Sequence, residues 1–244
     1  AEVIQNRKFC GPDKLMWNNG LEHDHLDFGI IQPWKGYNAS AKYVMYAHSN
    51  SNYSVKGNEL TSRYGSAKQS QQITIREKNK TKRGIQQNLY IVDPKDEFDF
   101  SIITKGENQK IFIEIGENKF SFFFKKNWSK FKKKIKFNKF SSYKKIKITI
   151  QSGTVYIANC SLMPKDTIFG FRKDITEMIK EWTPSYIRWP GGNFLSGYHW
   201  ENAIGNKDYR MPYYDHAWYQ WEYNDVGTDE FFKWCEYIGS EPMI

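Results

Sequence analysis

Cysteine is scarce: Cys10, Cys160 and Cys235 are the only three in 244 residues. That is too few, and too scattered, for a disulfide framework or a zinc site. All three are expected to be small buried hydrophobes. No apolar run approaches the roughly 18 residues that a membrane span needs. The opening AEVIQNRKF has no initiator Met and is charged from its second residue, unlike a signal peptide. The expectation is a soluble, globular chain that is either processed or a piece of something longer. Apolar residues make up 39% of the chain with tyrosine counted, a modest share for a globular protein. Aromatics reach 17%, which argues against disorder, and rings that bulky supply the burial that aliphatics do not. Asn-x-Ser/Thr sequons begin at Asn38, Asn52, Asn79, Asn127 and Asn159. In a chain this rich in Asn, Ser and Thr they arise readily by chance, so they only lean towards an extracellular location.

The net charge of +9 invites a nucleic-acid reading, but its location weakens it. Lys119 to Lys147 holds twelve lysines with no arginine and no acidic residue, and without those twelve charges +9 becomes −3. The lysines alternate with apolar residues, as in KIKF (134–137) and KIKITI (145–150), the period of a strand with one wet face. Arginine, the preferred reader of phosphates and bases, is missing there. The stretch reads as a solvated strand face, with a patch for an anionic partner as the alternative. Neither nucleic acid nor membrane is expected as a partner.

Two textures divide the chain. From about residue 60 to 160 the period is two: Phe98, Phe100 and Ile102; Ile111, Ile113 and Ile115; Phe120, Phe122 and Phe124; Ile146, Ile148 and Ile150. Turn residues separate these runs, at Asp93-Pro94, Lys105-Gly106, Gly116 with Asn118, and Ser152-Gly153. Short strands spaced by turns predict an antiparallel β-sandwich or barrel. Residues 11–60 read as loops with a few short strands. After residue 164 the period becomes helical. Phe171, Ile175, Met178, Ile179 and Trp182 fall on one helix face, and Thr183-Pro184 ends it. SYIRW (185–189) then reads as a short buried strand leading into the turn Pro190-Gly191-Gly192-Asn193. A second helix is expected from Thr228, as N-cap, with Phe231, Cys235 and Ile238 on one face and Gly239 as its stop. EPMI (241–244) begins another strand. Helix, strand, loop, helix, strand is a βα repeat, so a parallel sheet is expected.

In parallel α/β folds the active site lies at the carboxyl ends of the strands. Arg188 is at such an end, where a lone charge wants a carboxylate partner. A structural salt bridge to a neighbouring helix is the alternative. Trp189, Trp200, Trp218 and Trp221 crowd the following loops. Their faces suit sugar rings, and ordinary core is the other reading. Asp215-His216 has the composition of an acid/base pair, though a lone loop histidine is more often solvated.

These residues resemble the α-L-arabinofuranosidases of glycoside hydrolase family fifty-one. IRWPGGNF (187–194) is similar to that family's Arg-hydrophobe-Pro-Gly-Gly-Asn/Cys signature. The likeness runs on through SGYHWENAIG, Ala217-Trp218, Glu222 to Asn224, and VGTDEF followed by WCEYIGSEP. SLMPKDTIFGFRKDI (161–175) resembles the leader found in members with an inserted β-sandwich, and AEVIQNRKF resembles the segment after the first barrel strand. GIQQNLYIV (84–92) and NWSKFKKKIKF (127–137) are similar to the inserted carbohydrate-binding-like module, from which the lysine richness departs.

The resemblance implies an α/β plus β chain. Residues 1–20 would start a (β/α)₈ TIM barrel, 21–163 would form the inserted antiparallel β-sandwich, and 164–244 would continue the barrel through its second and third βα region. It also implies a retaining glycosidase that releases terminal non-reducing α-L-arabinofuranosyl residues from arabinose-containing plant polysaccharide, although some members cleave glucans or xylans. A non-catalytic carbohydrate-binding module is the reading from another class. Retention needs two carboxyls about 5–5.5 Å apart. A barrel takes about 250 residues and only about 100 here are available to one. In that family both catalytic glutamates lie on barrel strands after the third, so the resemblance implies that they lie outside this chain, which would by itself be inactive. By resemblance, Arg188 would hold the nucleophile, Asn193 would face the arabinose hydroxyls, and Trp218 would wall the sugar site. No metal or cofactor is implied.

Overall fold

The computed structural model describes residues 2, 4, 34–37, 71–75, 81–91, 93, 97–106, 109–139, 141–210, 213–215, 217–218 and 220–244. They fall into two compact units, one up to Lys165 and one of Asp166–Ile244. Cys10, His216, the sequons at Asn38, Asn52 and Asn79, and most of 11–60 lie outside the described residues.

The first unit is built by the period-two runs. Its strands are β1 (Lys35–Tyr37), β2 (Gln71–Ile75), β3 (Arg83–Tyr90), β4 (Phe98–Gly106), β5 (Lys110–Ile115), β6 (Asn118–Phe123), β7 (Ser129–Ile135), β8 (Tyr143–Ile150) and β9 (Gly153–Pro164). They form an antiparallel five-stranded sheet, β1-β3-β8-β5-β6, and an antiparallel four-stranded sheet, β2-β9-β4-β7. Ile85, Ile113 and Ile148 of the first sheet and Ile73, Phe100 and Ile157 of the second are fully or almost fully buried in one core. This is a β-sandwich, held mainly by isoleucine and phenylalanine burial worth about 1.5–3 kcal/mol per side chain. Phe131 of β7 stacks on Phe122 of β6 at 4.1 Å, closing one side of the sandwich with rings.

The lysine-rich stretch lies on this unit. Lys130, Lys132, Lys134 and Lys136 are exposed, while Ile135 between the last two and Phe137 after them are buried. Lys133 also stays exposed, although it shares the inward register of Phe131 and Ile135 on the edge strand β7. A charge there blunts pairing with another chain's strand. Lys144 departs from the wet-face pattern. It is buried on the inner side of β8, donating to the Glu117 carboxylate at 3.3 Å and to the Lys139 carbonyl at 2.6 Å. Cys160 is buried as a free thiol, and Asn159 beside it is buried too, so among the described sequons only Asn127 is accessible. At the N-terminus, the Glu2 carboxylate accepts from Ser161 Oγ and the Leu162 amide, and Ile4 joins the sandwich core.

The second unit contains β10 (Thr167–Ile168), β11 (Phe171–Arg172), α1 (Lys173–Glu181), β12 (Tyr186–Arg188), β13 (Tyr213–Asp215), β14 (Gln220–Glu222), α2 (Thr228–Ile238) and β15 (Glu241–Met243). β12 and β15 pair in parallel, with Ile187 opposite Pro242 and Arg188 opposite Met243, as the helix–strand alternation requires. Phe231, Trp234, Cys235 and Ile238 of α2 are its buried core. α2 ends at Gly239, whose φ is +79°.

Three expectations are corrected here. The strand 186–188 is not buried: Tyr186 and Arg188 are exposed, because β12 has only β15 beside it among the described residues. The apolar stripe of α1 is only partly covered. Ile179 packs on α2, and Thr176 is buried, accepting from Trp234 Nε1 at 3.0 Å, but Ile175, Met178 and Trp182 face water. A single neighbouring helix covers a narrower arc than the stripe spans. Phe171 precedes α1, in β11, and stacks on Trp234 at 4.8 Å. Finally, the N-cap of α2 is Gly227 rather than Thr228, because the Glu230 carboxylate reaches back to accept the Gly227 amide at 2.8 Å.

Candidate functional site

The site is built where β12 runs into its glycine turn. The Trp189 amide donates to the Met243 carbonyl at 2.9 Å, extending the parallel pairing, and its indole packs on Phe231 and Tyr198. Trp189 is therefore core. Pro190 is buried beneath the turn. Gly191 is extended and lies under the guanidinium of Arg188, where an added Cβ would stand 3.3 Å from Nη2. Gly192 has φ +64°, which a side chain would strain, and it faces the indole of Trp218, whose Cζ2 lies 3.9 Å from an added Cβ. The turn thus brings Arg188 and Trp218 to adjacent glycines. Asn193 is the second residue of the 3₁₀ helix Gly192–Gly197, exposed, and its Oδ1 accepts from Ser196 Oγ at 3.0 Å.

Arg188 makes no hydrogen bond or ion pair among the described residues, so the salt bridge to a neighbouring helix is not formed there. Its exposed fork is open to a carboxylate brought from elsewhere.

Trp218 sits at the tip of the β13–β14 hairpin, in which Tyr213 pairs with Glu222 and Asp215 with Gln220. Asp215 is almost completely buried, and its Oδ1 accepts from the amides of Ala217 at 2.8 Å and Trp218 at 3.4 Å. Its visible work is to shape the turn that presents the indole, a role aspartate plays by bonding backbone two residues ahead. That leaves Trp218 itself 60% exposed. Trp200 is exposed as well, and the side chain of Trp221 lies outside the described residues.

Behind the hairpin stands a buried polar frame that the sequence reading missed. Glu222 accepts from the Asn224 amide at 2.8 Å. Arg210 donates to the carbonyls of Asn224 and Gly205 and grips both oxygens of Glu230. Burial would raise the Glu230 pKa, but the Arg210 hydrogen bonds and charge and the Gly227 amide outweigh it and hold the carboxyl below its ordinary value. The Tyr198 phenol is pushed up to about 12, by burial first and then by the negative charge of Glu222, so it remains a protonated donor near neutrality. The signal for this frame is thin: an acidic residue three positions after Gly227, and an arginine in a loop otherwise poor in cations. Among the described residues, no three His, Cys, Asp or Glu side chains cluster as metal ligands.

Comparison with known proteins falls on this same unit. The family model described as "Alpha-L-arabinofuranosidase 1 domain" matches residues 178–244. Over 75 residues the chain is 51% identical to "Probable alpha-L-arabinofuranosidase C" of Aspergillus terreus, covering 31% of this chain and 15% of that protein. It is 49% identical over 72 residues to "Intracellular exo-alpha-(1->5)-L-arabinofuranosidase 1" of Bacillus subtilis, covering 30% of this chain and 14% of that protein. Among solved structures, the α-L-arabinofuranosidase from Thermotoga maritima in its arabinose complex is 51% identical, covering 34% of this chain and 17% of that one, with a TM-score of 0.32. The chain thus spans about 15% of the length of the curated relatives named here.

Proposed function

We propose that this chain, whose residues 178–244 are a segment of an α-L-arabinofuranosidase domain of glycoside hydrolase family fifty-one, is the N-terminal part of a retaining glycosidase. Its reaction is the release of terminal non-reducing α-L-arabinofuranosyl residues from arabinose-containing polysaccharide or oligosaccharide. Residues 164–244 belong to its (β/α)₈ barrel and 21–163 to the inserted sandwich, while 1–20 lead from the barrel's first strand into that sandwich, whose core Ile4 joins. The observation that carries the reading is the family-model match over residues 178–244, which contain IRWPGGN and in which the Arg188 fork, the two glycines and the Trp218 indole adjoin.

The two catalytic glutamates lie beyond residue 244. In a retaining mechanism one carboxylate attacks the anomeric carbon while the other, as an acid, protonates the leaving oxygen, and water then releases the sugar. The residues of this chain support those steps. Arg188 donates a charge-assisted hydrogen bond to the nucleophile, keeping it ionised. Trp218 offers a flat apolar wall to the sugar ring, held in place by Asp215. Asn193 faces the sugar hydroxyls.

The longer polypeptide encoded past Ile244, assayed with nitrophenyl α-L-arabinofuranoside, is expected to release arabinose with retained anomeric configuration, whereas residues 1–244 alone are inert. Selective cleavage of a glucan or xylan substrate by the longer form would replace the substrate class. Sugar release by residues 1–244 would sink the placement of the glutamates.

A further inference from the structure

Tyr90 and Tyr143 stand opposite each other on β3 and β8, edge to face, with ring centroids 5.3 Å apart. Both face water, at 60% and 77% exposure. Because strand side chains alternate, residues two apart share a face at a spacing of about 6.8 Å. The next rows on that outer face of the five-stranded sheet are Asn88 opposite Lys145 and Gln86 opposite Lys147. The intervening Gln87, Leu89, Ile146 and Ile148 are buried on the other side, which fixes the assignment of faces. The outer face therefore carries an aromatic pair at one end, a column of amides along β3 and a column of ammonium groups along β8. Glu114, opposite Lys147 on β5, is the acidic group in these rows, and Lys119 lies 3.9 Å from it. The Lys145 ammonium has no partner among the described residues.

Each column suits one part of a sugar acid. The apolar face of a pyranose stacks on a phenol ring, side-chain amides hydrogen-bond its hydroxyls, and an ammonium group pairs with its carboxylate. A neutral glycan would leave the lysines unused. A nucleic acid would be served better by arginine forks, of which these rows have none. We propose that the outer sheet face at Tyr90, Tyr143, Asn88 and Lys145 binds an acidic polysaccharide bearing uronate carboxylates. The choice of a polysaccharide rests on the reading of the chain as part of a polysaccharide-degrading enzyme.

The test is affinity electrophoresis of residues 1–244 through gels holding polygalacturonate, neutral arabinan or single-stranded DNA. Any chain of net charge +9 will drift towards a polyanion, so the control removes charge elsewhere. Tyr143→Ala and Lys145→Gln are each expected to weaken polygalacturonate binding about ten-fold, equivalent to about 1.4 kcal/mol. Tyr143→Phe retains it. Lys132→Gln/Lys134→Gln/Lys136→Gln, which removes more charge from β7 and beyond, changes it less than two-fold. All these sites are exposed, and thermal melts of each variant check that it is folded. Equal losses in the Tyr143, Lys145 and triple-lysine variants would reduce the effect to net charge and overturn the proposal. So would arabinan or DNA bound as tightly as polygalacturonate, or no binding at all. Arabinose release from the small chromogenic substrate needs no sheet face. Release without polygalacturonate binding therefore sinks only this inference, and binding without release by the longer form sinks only the proposed function.

Discussion

Arg210 grips Glu230 with two parallel hydrogen bonds, Nη1 to Oε2 and Nη2 to Oε1, each 2.7 Å long and shielded from water. The same guanidinium ties the carbonyls of Gly205 and Asn224 to the start of α2. Removing one partner strands a buried charge, so Arg210→Ala or Glu230→Ala is expected to cost the second unit about 3–5 kcal/mol. Arg210→Lys recovers only a part, since a point charge cannot reproduce the fork. Urea titration followed by tryptophan fluorescence measures it. A shift below about 0.5 kcal/mol would mean that the frame is held by something other than this pair.

Trp218 should behave in the opposite way. Its indole is mostly exposed and rests on Gly192, so Trp218→Ala is expected to change stability by no more than about 0.5 kcal/mol. In the longer enzyme the same change should raise KM for arabinofuranosides by removing the wall of the sugar site. Gly192→Ala is the complementary case. At φ +64° a Cβ strains the turn, for about 1 kcal/mol of lost stability, although the space beside Trp218 is sufficient. A Trp218→Ala enzyme with unchanged KM would remove Trp218 from the sugar site.

Glu117 makes acid stability testable in the sandwich. Burial raises its pKa, but the amides of Lys139, Glu117 itself and Asn138, together with the Lys144 ammonium, prevail and bring the carboxyl down to about 2. A folded-state pKa below the unfolded one adds stability that is fully present above the ordinary carboxylate pKa of 4.5 and fades as pH falls towards about 2. Glu117→Gln is therefore expected to melt below the parent at pH 7 and to approach it near pH 2. A gap that stays constant across that range would show that the carboxylate's charge is not what Lys144 and the turn amides require.

The sandwich was legible because alternation is a local property. Ile111, Ile113 and Ile115 announce which side faces in, and the structure buries all three. Gly239 and the parallel pairing of β12 with β15 were legible for a similar reason, as stop signals and element order. The exposure of Arg188, Ile175 and Trp182 was not. Periodicity tells which residues share a face and is silent on how many neighbours cover that face. The Arg210–Glu230 pair spans twenty positions, and Lys144 looks like its eleven neighbouring lysines until the fold turns it inward. Such pairings depend on chain reversals that carry no local pattern. The motif resemblance gave Arg188 and Trp218 separate roles, and their meeting at Gly191 and Gly192 is seen in the structure alone.

Arg188 is expected to matter for chemistry and little for folding. Its guanidinium is exposed at the carboxyl end of β12, it lies across Gly191, and it makes no ion pair among the described residues, so its loss leaves no buried partner stranded. In the longer enzyme its fork would stand beside the nucleophilic carboxylate. An opposite charge within about 4–6 Å lowers a carboxyl pKa, so Arg188→Ala should raise it and move the acidic limb of the pH–rate profile to higher pH. Turnover is expected to fall by about 10²–10³-fold, the scale of losing one oriented electrostatic contact in a transition state. Arg188→Lys should restore part of the rate and most of the pH profile, because it returns the charge without the two-pronged geometry. Melting temperatures of the parent, Arg188→Ala and Arg188→Lys, taken on the preparations used for kinetics, should agree closely. A variant that melts much earlier yet turns over normally, with an unmoved acidic limb, would make Arg188 a structural residue and remove it from the site.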